Sequence, residues 1–335
     1  MLQTAPVHRP DALPTLRVRS LGVQYEVAGN GFWGGKRSVN ALEDISFDLR
    51  PGETLGLVGE SGSGKTTAGR AILRRIEAAT GQIIFKGTDI TALKGEALRS
   101  LRAGMQLVLQ DPYASLNPRM RVLDIVAEPL IVHGVVRSLD EARQRVGELL
   151  DLVGLPADTQ DRFPHAFSGG QRQRIGIARA LALKPDLIVA DEPVSALDVS
   201  VRAQVVNLMQ DLQKQLGISY LFIAHDLSVV RHISHRVAIL YAGRMVEMAD
   251  RDSIYDRPKH PYTEALLSAV PVANPQIQRA RKRIVYPGEV PDMASPPPGC
   301  RFQARCPLVT DQCRTHTPPL VEKAPGHLVA CWNRN

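Results

Sequence analysis

The chain contains three short, mostly apolar runs, each long enough for one strand, at residues 53–58, 187–190 and 220–224. Strands that are apolar on both faces are typical of a parallel sheet covered by helices. Residues 16–24 instead alternate apolar and polar side chains, which predicts a strand with one exposed face. Between the first two runs, apolar residues recur at helical spacing, at residues 66–76, 138–152 and 175–183. The pattern therefore predicts an α/β fold.

Length and hydropathy limit the class of protein. A chain of 335 residues can bury a large core, and its length predicts two domains or one large domain with an appendage. No stretch approaches the ~18 consecutive apolar residues of a membrane span, and residues 1–14 lack the apolar centre of a signal peptide. We therefore expect a cytosolic protein.

The formal charge of +7 raises the alternative of a nucleic-acid or membrane-surface partner. The basic residues are scattered, however, and the one tight run, residues 279–283, lies among prolines without aromatic residues for base stacking. Such a run is typical of a solvated linker. The charge therefore gives little support to a nucleic-acid partner.

A glycine-rich segment follows the first apolar run and matches the pattern G-x-x-x-x-G-K-[ST]. Backbone N–H groups of such a loop, at the start of a helix, can surround a phosphate. Lys65 would neutralise β- and γ-phosphate charge, and Thr66 would offer its hydroxyl to Mg²⁺. A plain surface loop is the alternative, but it predicts no further nucleotide motifs. The loop residues are Gly59, Glu60, Ser61, Gly62, Ser63, Gly64, Lys65, Thr66 and Thr67.

Two carboxylates, Asp191 and Glu192, follow the second apolar run. Open parallel sheets place their ligands at the carboxyl ends of the strands. Asp191 would hold Mg²⁺ through water, and Glu192 would orient and polarise the water that attacks the γ-phosphate. An ordinary turn is the alternative, and the phosphate loop upstream makes it the weaker one.

A second helix start with exposed N–H groups is predicted at a Ser-Gly-Gly-Gln segment. Ser168 is a good N-cap candidate, and the glycines after it leave the first N–H groups open to an anion. A simple helix cap is the alternative, because one nucleotide does not obviously need two anion sites. The four residues are Ser168, Gly169, Gly170 and Gln171.

The phosphate loop, the Ser-Gly-Gly-Gln signature and the Asp-Glu pair, in this order and spacing, resemble the nucleotide-binding subunit of an ATP-binding cassette (ABC) transporter. In that family two such domains pack head to tail, and the signature of one closes over the γ-phosphate held by the other. The resemblance implies an ATPase that binds ATP and Mg²⁺. It also implies a second ATPase subunit, either a homologous partner or a second copy.

The resemblance extends to four further positions. Tyr25 resembles the aromatic residue that stacks on adenine, and Gln110 resembles the glutamine that senses Mg²⁺ and the membrane subunit. His225 matches the histidine that contacts the γ-phosphate. Asp198 lies in the segment 195–198, which resembles the loop that communicates across the dimer.

Roles at the ATP site follow from this resemblance. The implied catalytic residues are Glu192, His225 and Gln110. Those implied to hold Mg²⁺ are Thr66, Gln110 and Asp191. The signature has Phe167 where leucine is commoner, and no departure occurs at the catalytic positions. This implies a half-site that is competent for hydrolysis, with Glu192 as the base.

Three stretches are similar to the ATPases of di- and oligopeptide importers. Two are residues 111–119 and 260–267, and the third is a C-terminal group of four cysteines. Cytosolic disulfides are disfavoured, and structural zinc usually shows a closer C-x-x-C pair, whereas iron–sulfur spacings vary more widely. Zinc and free thiols stay open as alternatives, with His316 and His327 as candidate substitute ligands. The cysteines are Cys300, Cys306, Cys313 and Cys331.

In the peptide-importer ATPases, the C-terminal cysteines hold a four-iron four-sulfur (4Fe-4S) cluster, so the resemblance implies this cofactor. The predicted fold class is an α/β ABC-type P-loop NTPase domain with a mixed core sheet, an antiparallel edge sheet and a helical insertion, followed by a small cysteine-rich extension. We expect the ATPase domain at residues 15–250, its insertion at about 116–164 and the extension at 251–335. Proline-rich turns at 294–299 predict little regular structure there.

The implied function is ATP hydrolysis that powers import of di- or oligopeptides, by a peripheral subunit on the cytoplasmic face of the inner membrane. The implied partners are two transmembrane permease subunits and, indirectly, an extracytoplasmic substrate-binding protein. Nickel and glutathione are alternative cargoes, because other chains select the cargo. A soluble ABC-type ATPase acting on nucleic acid or the ribosome is the alternative from another class. Such proteins usually carry two cassettes or a coiled-coil insertion, and this chain has neither.

Overall fold

A computed structural model describes residues 13–28, 36–271, 275–280 and 282–334. Within them the strands are β1 (Leu16–Ala28), β2 (Lys36–Leu49), β3 (Thr54–Val58), β4 (Thr80–Phe85), β5 (Thr88–Asp89), β6 (Met105–Val108), β7 (Leu187–Asp191), β8 (Ser219–Ala224), β9 (Arg236–Tyr241), β10 (Arg244–Asp250), β11 (Val321–Ala324) and β12 (His327–Val329). They form two sheets. The smaller is antiparallel, in the order β2-β1-β4-β5, and the larger runs β11-β12-β10-β9-β3-β8-β7-β6.

The helices lie between strands along the chain, singly or several in succession. They are α1 (Lys65–Ile72), α2 (Gly95–Arg102), α3 (Pro112–Ser115), α4 (Val122–Val132), α5 (Leu139–Leu152), α6 (Gly169–Leu181), α7 (Val199–Leu216), α8 (Leu227–Ile233), α9 (Arg251–Asp256), α10 (Pro261–Ser268), α11 (Pro275–Ala280) and α12 (Asp311–Thr315). Helix α1 ends four residues before the predicted end, and Arg74 beyond it has a φ of +56°. A left-handed residue cannot continue a right-handed helix.

Five strands of the larger sheet, from β9 to β6, run parallel, and their side chains enter two separate cores. Tyr220 and Phe222 of β8 pack on one side with helices α4 to α7. Leu221 and Ile223 pack on the other side with α1 and the smaller sheet. Because both faces are covered, every residue of the strand is buried and all but Ser219 are apolar or aromatic, which explains the apolar run in the sequence.

The C-terminal residues extend the larger sheet. Strand β12 pairs antiparallel with β10, and Phe302 packs in the core with ring centroids 5.1 Å from Tyr241 and 5.6 Å from Tyr262. Residues 294–299 contain neither helix nor strand, as predicted. The predicted domain boundary at residue 250 falls between β10 and α9 and stays a prediction. The fold shows that the two parts share one sheet.

A buried carboxylate joins these parts. Glu247 of β10 is fully buried, and its Oε1 lies 2.6 Å from Nε2 of His327. The backbone N–H groups of Lys259 and His260 also donate to this carboxylate, at 2.7 and 3.0 Å. Burial alone would raise the pKa of Glu247. The hydrogen bonds from the side chains of His327 and Thr263 and from the backbone of Lys259 and His260 outweigh this effect and lower the pKa. The C-terminal hairpin is thereby tied to the core sheet.

In the described part of the chain, no helix combines the length and the apolar character that a bilayer span demands.

Candidate active site

The phosphate loop connects β3 to α1, as predicted, and two of its glycines are required by the backbone. A Cβ on Gly59 would lie 2.2 Å from the carbonyl oxygen of Leu240. Gly64 precedes α1 with a φ of +102°, a region that residues with a Cβ rarely adopt. The loop can therefore lie close against β9 and turn its N–H groups toward an anion at the start of the helix.

Lys65 lies buried at the centre of the loop. Its Nζ donates hydrogen bonds to the carbonyl oxygens of Gly59 and Glu60, at 2.8 and 2.9 Å. Burial lowers the pKa of Lys65, and the carboxylates of Glu192, Asp191 and Glu60 oppose this effect. The ammonium group is thus held in a poorly solvated position, where a phosphate would be a strong partner.

Thr66 and Asp191 meet beside the loop. The Thr66 hydroxyl donates to Oδ1 of Asp191 at 3.0 Å, although 125 residues separate them. Burial raises the pKa of Asp191, while the Thr66 hydrogen bond opposes the rise. A hydroxyl next to a carboxylate is a suitable oxygen pair for Mg²⁺, which favours oxygen ligands.

Glu192 has a strained backbone at the end of β7. Its φ is +49°, and its N–H donates to the carbonyl of Ile223 at 2.8 Å. Its Oε1 lies 3.1 Å from Nδ1 of His225, which follows β8. Strain of this kind persists where the surroundings over-determine a conformation, and it is common at active sites. The geometry brings two of the three sequence-predicted catalytic side chains, Glu192 and His225, into contact.

A cleft of ≈ 610 Å³ opens above the loop. It is lined by the predicted residues Ser61, Gly62, Gly64, Lys65, Thr66, Thr67, Gln110, Glu192 and His225. Three other residues complete the lining: Val39 and Ala41 of β2, and Met293 of the C-terminal region. None of the three is predicted from the sequence, since an apolar residue in a strand or proline-rich turn carries no local sign of a binding role.

Tyr25 lies on β1, beside the cleft rather than among the residues that line it. It is 36% exposed and stands directly opposite Val39 across the strand pair. Directly opposed residues lie on the same face of a sheet. Tyr25 therefore shares its face with a residue of the cleft wall, and its role toward adenine stays a prediction.

The signature segment lies outside the cleft lining of its own chain. Ser168 caps α6 as predicted: its hydroxyl accepts from the Gln171 N–H at 3.3 Å, and the Gln171 side chain accepts from the Ser168 N–H. Asp198 caps α7, accepting from Val201 N–H at 2.9 Å. A Cβ on Gly170 would lie 2.2 Å from a methyl group of Val201, so the two helix starts pack tightly. That this segment contacts the γ-phosphate of ATP bound by a partner subunit stays a prediction.

Cys306, Cys313 and Cys331 all lie near enough to Cys300 to raise its pKa, although up to 31 positions separate them from it in the sequence. Burial raises the pKa of the Cys300 thiol to about 11. Among the described residues, no group of three or more His, Cys, Asp or Glu side chains is arranged to hold a metal ion. His327, considered above as a substitute ligand, lies against Glu247 instead. His316 pairs with the Thr315 hydroxyl at 2.8 Å.

Comparison with known proteins agrees with the geometry. Residues 42–195 match the family described as ABC transporter, and residues 246–313 match the oligopeptide/dipeptide transporter C-terminal region. The oligopeptide transport ATP-binding protein AppF of Bacillus subtilis (strain 168) is 51% identical over 94% of this chain and 96% of its own. The putative peptide import ATP-binding protein BOV_A0347 of Brucella ovis is 50% identical over 96% of this chain and 98% of its own.

A solved structure has the same fold. The dimeric ATP-binding cassette MJ0796, in a post-hydrolysis state bound to ADP and Pi, matches with a TM-score of 0.62 and 28% identity. The match covers 70% of this chain and 98% of MJ0796, which confirms the predicted cassette fold and leaves the cysteine-rich extension untested. Fold, motifs and relatives agree: the chain belongs to the ABC transporter family, among its ATP-binding proteins that carry the oligopeptide/dipeptide transporter C-terminal region.

Proposed function

We propose that this protein is the ATP-binding and ATP-hydrolysing subunit that powers import of di- or oligopeptides through a membrane ABC transporter. One observation carries the proposal: a single cleft collects Lys65, Thr66, Glu192 and His225 beside a C-terminal region of the peptide-transporter type. The names of AppF and of the Brucella protein support peptides as the cargo.

The loop and its neighbours would bind and orient the triphosphate. Lys65 neutralises phosphate charge, and the N–H groups at the start of α1 add donors. Thr66, Gln110 and Asp191 would hold Mg²⁺, which would help to neutralise the charge of the phosphates. Because the ammonium of Lys65 is buried, its attraction to phosphate is little weakened by solvent.

Glu192 is the proposed general base. Its carboxylate is mostly buried, at 17% exposure, and lies within hydrogen-bond distance of His225. In this position it would accept a proton from the attacking water, while His225 would contact the γ-phosphate and hold the carboxylate in place. The rate gain then comes from positioning and charge neutralisation in a preorganised site.

A second ATPase subunit would complete the site. Residues Ser168, Gly169, Gly170 and Gln171 would contact the partner's γ-phosphate, and Asp198 would lie at the contact between subunits. The dimeric state of MJ0796 supports this arrangement. Two permease subunits would anchor the pair at the membrane as peripheral subunits, and a substrate-binding protein would deliver the cargo. Adenine would stack on Tyr25.

Uptake by the assembled transporter tests the proposed cargo. We expect vesicles that contain this protein, its permeases and its binding protein to take up labelled di- or oligopeptides only with ATP and Mg²⁺. Vesicles in which the chain carries Lys65→Ala serve as the control and should show no uptake. ATP-dependent uptake of nickel or glutathione in place of peptides would refute the peptide assignment while keeping the ATPase.

For the four thiols we propose a 4Fe-4S cluster held by Cys300, Cys306, Cys313 and Cys331. Hydrogen bonds to sulfur support it, because they stabilise cluster thiolates. Cys306 Sγ accepts from the Leu308 N–H at 3.4 Å, and Cys313 Sγ lies 3.5 Å from Nδ2 of Asn333. Cys300 and Cys331 also accept from backbone N–H groups. Burial raises the pKa of the Cys300, Cys306 and Cys331 thiols, so their deprotonation would accompany binding of the metal.

Metal analysis of anaerobically purified protein tests the cluster. We expect about four irons and about four sulfides per chain, as one 4Fe-4S cluster requires. Cys313→Ser should lose most of the iron, whereas Ser268→Ala, a polar change outside the thiol group, should keep it. Stoichiometric zinc, or an absence of bound metal together with four reactive thiols, would show that the cluster assignment is wrong.

A further inference from the structure

Glu60 of the phosphate loop is held from several directions at once. Its carbonyl oxygen accepts from Nζ of Lys65 at 2.9 Å and from the Ser63 N–H at 3.1 Å. Its N–H donates to the phenol oxygen of Tyr262 at 2.9 Å. Its carboxylate accepts from Nη1 of Arg305 at 3.1 and 3.3 Å. The N–H and carboxylate partners both belong to the C-terminal region.

Tyr262 is a rigid support for this contact. Its side chain is 1% exposed and packs on Tyr241 and Phe302, with ring centroids 4.6 and 5.6 Å away. Burial raises the pKa of Tyr262, so the phenol stays protonated. Tyr262, which supplies the phenol oxygen, lies 202 positions after Glu60 in the sequence. A phenol fixed in a packed aromatic group therefore sets where the loop backbone begins its turn.

Arg305 supplies the charged contact. Its side chain is 17% exposed and that of Glu60 is 34% exposed, so solvent screens the pair only in part. The guanidinium also lies near the rings of Tyr241 and Phe302, at 5.8 and 5.7 Å from their centroids. These contacts limit the movement of Arg305, which makes it a defined partner for Glu60.

The segment that carries Arg305 is attached to the site at other points. Met293 lines the cleft, and its carbonyl oxygen accepts from the Asn40 N–H at 3.2 Å. Arg301 donates to the carbonyl of Ala242 and to the carboxylate of Glu43. Its guanidinium is almost fully buried, so these contacts hold the segment firmly against the cassette.

We propose that Tyr262 and Arg305 are positioning residues of the ATP site, which act through Glu60 to hold the phosphate loop in its binding conformation. The C-terminal region is then part of the framework of the nucleotide site. This inference rests on the proposed function, because it concerns the loop that binds ATP. Neither residue is among those that line the cleft.

The position of the contact determines which kinetic constant should change. The loop holds the phosphates both before and during the reaction, so a looser loop weakens ground-state and transition-state binding together. Such a loss raises KM and the Kd for ATP and leaves kcat nearly unchanged. A merely structural role would instead lower the fraction of folded enzyme, which reduces the apparent kcat without changing KM.

The test compares Arg305→Gln, Tyr262→Phe and Glu60→Gln with wild type, by steady-state ATPase kinetics and by titration with a fluorescent ATP analogue. We expect Arg305→Gln to raise KM and the Kd about fivefold, with kcat per folded chain unchanged within about twofold. Tyr262→Phe should act in the same direction, and Arg305→Lys should recover part of the affinity. The control is Arg334→Gln, which removes an Arg–carboxylate pair with Glu264 (2.8 Å) in the same C-terminal region, a pair that includes no residue of the loop.

A double-mutant cycle isolates the coupling. If Arg305 acts through Glu60, adding Arg305→Gln to Glu60→Gln should raise the Kd no further. Additive effects, or an unchanged Kd in Arg305→Gln, would overturn the proposal. Wild type that binds no ATP, or that stays unable to hydrolyse it in the complex with its permeases, would instead contradict the proposed function, so the two failures are distinguishable.

Discussion

Replacing Glu192 with glutamine should lower the rate of ATP hydrolysis by about a thousandfold, the contribution expected of a general base. The amide cannot accept the proton of the attacking water. Glutamine keeps the size of the side chain and removes one negative charge from beside the phosphates, so ATP binding should persist or strengthen. We therefore expect the Glu192→Gln protein to stay in an ATP-bound dimer.

Single-turnover hydrolysis and light scattering with ATP and Mg²⁺ provide the measurement. The control Glu96→Gln changes an exposed carboxylate of α2 and should hydrolyse ATP at the wild-type rate. Retention of more than about a tenth of the wild-type rate by Glu192→Gln would show that another group is the base. If wild type is inactive alone, the same comparison in the complex with permeases keeps the test valid.

Lys65→Ala should weaken ATP binding by roughly a hundredfold and remove measurable hydrolysis, because charge-assisted hydrogen bonds to phosphate are lost. The substitution also leaves the carbonyl oxygens of Gly59 and Glu60 without the donor that now holds them. The loop would then lose both its charge and part of its internal order. No other lysine among the described residues lines this cleft.

Titration calorimetry with ATP and a non-hydrolysable analogue measures this loss. Lys214→Ala, which removes an exposed lysine of α7, is the matched control and should bind ATP as wild type does. Circular dichroism establishes whether the Lys65 variant is folded. A folded Lys65→Ala protein with wild-type affinity would mean that nucleotide binds elsewhere.

Local features of the site could be predicted because each depends on a few neighbouring residues. A loop that needs Gly59 and Gly64 is recognisable from its glycines, and the Ser168 cap from a hydroxyl before an amphipathic segment. The apolar run that ends at Asp191 is visible because the strand is buried on both faces. The catalytic roles inside the cleft were predicted from the family resemblance. In the structure, Glu192 lies against His225.

The sequence by itself determined the cassette fold, the phosphate loop and the order of the ATP-site motifs, since local pattern and family likeness suffice for these. Only the tertiary structure decided that Tyr262 and Arg305 contact Glu60, across 202 and 245 positions, and that His327 pairs with Glu247. It also placed Met293 at the cleft. Such contacts leave no periodicity or motif along the chain, because they arise only when β12 joins the core sheet and the C-terminal region packs against the phosphate loop.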